Sequence, residues 1–178
     1  MVYCFATYQM VKLVRNIERL RDPDLWGSIV MILFTIILSA LIIFDKSSFS
    51  FSVGPLPITH WLSLIGGFWI AIVTPIYFVL KNRRPNRIKA WVRIHMFGNL
   101  VAFTFISVHF TYWIISVSRL GTGLTLFVAV LTLVVTGLLQ RFNVMQSSRR
   151  QIRFLHISMT TAFYLILTIH ILSHIISL

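Results

Sequence analysis

Carboxylates are nearly missing from this chain: Glu18, Asp22, Asp24 and Asp45 are the only four in 178 residues. None falls inside the long apolar runs, so a carboxylate-based proton or ion relay has no donors there. Cysteine is scarcer still. Cys4 stands alone, which excludes an internal disulfide, a Cys-x-x-Cys redox pair, an iron–sulfur cluster held by this chain alone and a covalent c-type haem. Redox compartment is left open. Charged residues of either sign make up only 11% of the chain, whereas 57% is hydrophobic.

That balance belongs to a membrane protein. A helix of about 20 apolar residues crosses a hydrocarbon core of about 30 Å, and five runs qualify, at about 26–44, 60–80, 92–117, 120–140 and 154–177. The expected fold is all-α, an integral membrane bundle of five helices spanning 26–178, preceded by an N-terminal segment, 1–25. Within that segment Met10, Leu13, Val14, Ile17 and Leu20 recur at helical spacing, with Lys12, Arg15, Glu18 and Arg19 on the other faces. The pattern predicts an amphipathic helix lying in the membrane interface. The first apolar run follows mixed charge and precedes no small-residue cleavage site, so it reads as a retained span.

The net charge of +12 would suggest nucleic acid in a soluble protein, but its placement argues for lipid instead. Fourteen of sixteen Lys and Arg lie before the first span, in KNRRPNRIKAWVR or in RFNVMQSSRRQIR; only Lys46 and Arg119 lie on the other side. This is the positive-inside asymmetry. It predicts a multi-pass cell-membrane protein with a cytoplasmic N-terminus and an external C-terminus, its basic face suited to anionic headgroups.

The first span, WGSIVMILFTIILSALIIF, carries no ionisable residue and reads as a lipid-facing wall. In the second, Gly66 and Gly67 permit close helix approach and Pro75 suggests a kink. The fourth, GTGLTLFVAVLTLVVTGLLQ, has glycines and threonines but nothing titratable, which predicts packing.

The third and fifth spans differ from these. RIHMFGNLVAFTFISVHF holds His95 and His109; RFLHISMTTAFYLILTIH holds His156 and His170. Both pairs are fourteen residues apart, an interval that advances a helix by about 21 Å and returns it to within roughly 40° of its starting direction. One span separates the two helices, so they run parallel, and His95 can face His156 while His109 faces His170. Zinc asks for three or four ligands, commonly with Cys or carboxylate. Two imidazoles across an apolar gap instead suit haem, whose porphyrin leaves two axial positions open.

The spacing therefore predicts two stacked, non-covalent b-type haems. Arg93 and Arg153, beside the histidines nearer the basic face, are candidate propionate partners. Gly98, on nearly the same helix face as His95, would let a ring plane approach the backbone or serve helix packing. His60 and His174 are weaker candidates for an interfacial role, a propionate contact, a quinone or metal-ion site, or an alternative outer ligand.

Arg93-Ile-His95, His109, TGLLQRF, Arg153-Phe-Leu-His156 and His170 resemble the ferric reductase-like transmembrane domain of ferric reductases, NADPH oxidases and the membrane subunit of methionine sulfoxide reductase. The resemblance covers roughly 60–178. It implies that His95 and His156 ligate the inner haem and His109 and His170 the outer. A similar two-pair arrangement occurs in the cytochrome b of quinol–cytochrome c reductases.

The chain departs from the first family in lacking a sixth helix and a flavin- or NADPH-binding domain. The expectation is an electron-carrying subunit with redox partner subunits, a cytoplasmic donor or quinol and an external acceptor. A self-standing ferric or quinone reductase, and a non-redox membrane subunit or transporter, are the rivals.

Overall fold

A computed structural model of the chain describes residues 20–45, 47–83, 85–114 and 121–176. Most of the amphipathic segment predicted before residue 20 lies outside them. Five long helices account for nearly all of the described chain: α1 (Pro23–Phe44), α2 (Ile58–Arg83), α3 (Ile88–Ile114), α4 (Gly121–Arg141) and α5 (Arg149–Ile176). All five are long and apolar enough to cross a membrane, so the protein is a multi-pass, all-α bundle. A short hairpin, β1 (Ser52–Val53) with β2 (Leu56–Pro57), lies in the α1–α2 connection.

Contacts between helix ends fix the directions. Asp24 at the start of α1 meets Arg93 near the start of α3 and Arg141 at the end of α4. Thr136 and Thr122 of α4 meet His156 and His170 of α5 in reverse order. Tyr77 and His60 of α2 likewise meet His95 and His109 of α3. Helices α1, α3 and α5 therefore run one way and α2 and α4 the other. The basic residues that open α3 and α5 and close α2 and α4 gather at one end of the bundle, called here the basic end.

Helix α1 starts three residues before the expected boundary, and its first turn carries an acid that the expected wall did not include. Asp22 caps it, accepting a hydrogen bond from the Asp24 backbone N–H at 2.9 Å, and Pro23 follows where a missing N–H costs nothing. Asp24 is buried, with Arg93 Nε at 3.0 Å and Arg141 at 2.5 Å. One carboxylate thus ties α1 to α3 and α4. The rest of the buried face of α1 is polar as well: Ser28 and Thr35, with Ile42 beyond. Thr35 and Thr104 share a hydrogen bond of 2.7 Å. Its outer face exposes Val30, Leu33, Phe34, Ile36 and Ile37. Lipid is as apolar as leucine, so small and polar groups face inward and the large apolar ones face the hydrocarbon. Just past the helix, the Ser47 and Ser48 hydroxyls donate to Asp45 and hold its carboxyl below the usual carboxylate range.

Helices α2 and α3 make the tightest seam. Gly66 packs on the Ala102 backbone, where an added Cβ would lie 2.8 Å from the carbonyl oxygen. Helix α3 is the central element, packing against α1, α2 and α4, while α5 packs mainly against α4.

Pro75 leaves α2 continuous as an element. It lacks the N–H that would reach the carbonyl four residues back, so Ala71 C=O is left without its helical donor. The Tyr164 hydroxyl of α5 donates to that oxygen at 3.2 Å, as a freed backbone group in a membrane requires. Tyr164→Phe should cost about 1–2 kcal/mol, the penalty of an unmet buried acceptor. In a Pro75→Ala background, where the helix supplies its own donor, more than half of that cost should vanish. Reversible unfolding of the four proteins in detergent measures both.

Candidate functional site

Each histidine pair occupies one level of the bundle, and each level draws on four helices. At the basic-end level, His95 of α3 stacks on Tyr77 of α2, with ring centroids 4.4 Å apart and planes 13° apart. Asn99, one turn along α3, brings its amide nitrogen to 3.4 Å from the same ring. His156 of α5 brings its Nδ1 to 2.9 Å from Thr136 Oγ1 of α4. Arg93, two residues before His95, and Arg141, five residues past Thr136, meet on Asp24, so His95 and His156 stand toward the same end of the bundle.

At the far level, His109 of α3 meets His60 of α2 edge-on at 4.7 Å, and His60 lies 5.1 Å from the Trp113 ring. His170 of α5 brings Nδ1 to 2.9 Å from Thr122 Oγ1 of α4. All five described histidine side chains are half-buried. His60 belongs to the far cluster, which makes it more than a residue at the membrane edge. His174 lies on α5, one turn beyond His170.

Between the levels the bundle is filled. Ile70, Ala102, Phe103, Ile106, Val130 and Phe163 form a buried apolar cluster. Phe163, only 1% exposed, stands midway between His156 and His170 in sequence. The two half-buried imidazole layers are thus separated by an apolar cluster bordered by the Tyr164 hydroxyl, with the buried hydroxyls of Thr104 and Ser107 on the same stretch of α3.

Two of the three expected haem contacts, Arg93 and Gly98, meet other groups of the bundle in this structure. Arg93 is engaged by Asp24, 3.0 Å away, so its nearest anion is a carboxylate of α1. Arg153 is exposed at the start of α5. Gly98 serves packing: a Cβ there would meet the Trp69 indole of α2 at 2.4 Å, so its open space holds a side chain of the bundle.

The sequence reading missed Thr122 and Thr136. They too are fourteen residues apart, and that shared interval was the signal available. Helix α4 was expected to pack only, yet it presents a hydroxyl to His156 and to His170 of α5.

The donor set bears on what the site can hold. Among the described residues, no three of His, Cys, Asp and Glu converge as a metal-binding group. The helices that bear the paired histidines are not among the closely packed helix pairs. Neutral imidazole on two such helices fits the axial positions of haem. No family model matches the chain, and neither does any curated protein or solved structure at a significant level.

Proposed function

We propose that the protein is a two-haem b-type membrane cytochrome, a subunit that carries electrons between the two faces of the membrane. The observation that supports this best is that two parallel helices, α3 and α5, each carry two half-buried histidines fourteen residues apart, with His95 and His156 toward the basic end and His109 and His170 toward the other. His95 and His156 would hold one haem, and His109 and His170 the other. When bound, haem supplies one-electron exchange at its iron.

The chain's own residues set the surroundings. The Phe163 layer keeps the two sites apart, and half-burial of the imidazoles limits water at each. Thr136 and Thr122 orient the α5 rings. With Arg93 bound to Asp24, the exposed Arg153 is the simpler propionate partner. Basic residues gathered at one end favour that end as the cytoplasmic face, the side of a flavoprotein or quinol donor, with the acceptor subunit on the other.

A second reading, a quinone or substrate site at the far level, has the His60–His109–Trp113 cluster in its favour. The test of the main reading is the visible spectrum of the purified, dithionite-reduced protein. A b-type α band at about two haems per chain is expected; its absence would sink the assignment.

A further inference from the structure

Helices α4 and α5 are antiparallel, and a shared interval of fourteen residues gives His156 and His170 of α5 each an α4 threonine. Both contacts are 2.9 Å from Oγ1 to Nδ1. A glycine follows each threonine and makes room for the ring. A Cβ at Gly137 would lie 3.4 Å from His156 Cε1, and one at Gly123 would lie 3.8 Å from His170 Cε1. The Thr-Gly pair is therefore a repeated seat for an imidazole edge.

The direction of the hydrogen bond follows from proton counting at Thr136. A hydroxyl has one proton to donate, and Thr136 Oγ1 donates it to the Thr132 carbonyl at 2.6 Å. Only oxygen lone pairs remain for the histidine, so Nδ1 of His156 must carry the hydrogen. A neutral imidazole protonated at Nδ1 has its free electron pair on Nε2. That is the tautomer a metal centre requires of an Nε2 ligand, and a hydrogen bond from Nδ1–H also raises the basicity of the ligating nitrogen.

We propose that Thr136, by this proton count, and Thr122, by its matching Thr-Gly seat alone, are positioning residues that hold His156 and His170 as Nδ1–H tautomers, leaving each Nε2 as the lone pair offered to a metal. The metal's identity rests on the two-haem reading; the tautomers do not.

The test uses the full-length protein labelled with 15N-histidine and produced without haem, where nitrogen chemical shifts distinguish a protonated from a bare ring nitrogen. Both histidines should show Nδ1–H and bare Nε2. Thr136→Val should convert the His156 signals alone to a tautomer mixture, and Thr122→Val those of His170 alone. Serine at either position should restore the wild-type pattern.

In haem-loaded protein, each valine variant should weaken haem binding at its own level by about 10- to 100-fold, as lost ligand support typically does, with serine again restoring it. Nε2–H in the wild type, or valine variants identical to it, overturns the proposal. If a valine variant misfolds, the wild-type and serine spectra still decide. A chain that takes up no haem refutes the cytochrome reading and leaves the tautomer result legible.

Discussion

Replacing His156 by alanine should leave purified protein with one haem per chain in place of two, and the survivor should keep its spectrum and potential. The two histidine levels are about 21 Å apart along the helices, and the Ile70–Ala102–Phe103–Ile106–Val130–Phe163 cluster fills the space between them. Loss of one ligand has no packed route by which to dismantle the other level. His95→Ala should remove the same haem as His156→Ala, because both residues stand toward the basic end of their helices.

The far level needs two variants. His109→Ala should remove the second haem, whereas His60→Ala should retain it and at most shift its potential, since His60 meets the His109 ring edge-on, centroids 4.7 Å apart, and lacks a fourteen-residue partner on its own helix. Haem stoichiometry by the pyridine haemochrome method reads all four variants. Two haems retained in His156→Ala would refute ligation by that residue. Loss of the second haem in His60→Ala, with retention in His109→Ala, would reassign the far ligand.

Two adjacent glycines should give opposite results. Gly66→Ala places a Cβ 2.8 Å from the Ala102 carbonyl oxygen and 3.3 Å from Ile106. The first of these neighbours is backbone and can yield only if α2 and α3 separate. Overpacking of this kind costs about 1–3 kcal/mol, and valine should cost more. Gly67→Ala meets nothing within 4 Å and should gain about 0.4–1 kcal/mol, because alanine loses less backbone freedom on folding. Unfolding in mild detergent, with thermal midpoints as a second measure, compares the two. Equal effects would mean that the α2–α3 seam does not run through Gly66.

The five helices were legible because a bilayer demands length and apolarity, both local properties of a sequence. The histidine ladder was legible because one interval recurs on two helices. Asp24 was not. Its place inside the bundle depends on Arg93 and Arg141, which arrive from helices far along the chain, and no local pattern announces such a pairing. Gly98 shows a different case. A glycine near a histidine suggested room either for a cofactor ring or for helix packing; Trp69 of the preceding helix packs there, and only the packed bundle reveals which neighbour arrives. The threonines of α4 lay between these cases. Their interval was visible, but hydroxyls are common in membrane helices, and their meaning required the antiparallel register with α5. Pro75 was read as a kink, whereas its effect reaches Tyr164 through a carbonyl that the sequence does not display.

The layer around Phe163 also bears on how the molecule would respond to membrane voltage. The two histidine levels lie about 21 Å apart along the helices, so a charge moved between them crosses a large part of the transmembrane field. One that crosses the whole field exchanges about 2.3 kcal/mol with each 100 mV of potential. Unless a proton follows by way of the buried Thr104 and Ser107 hydroxyls and the Tyr164 hydroxyl that borders the apolar cluster, transfer between the levels would be electrogenic, and its equilibrium would follow the energised state of the membrane.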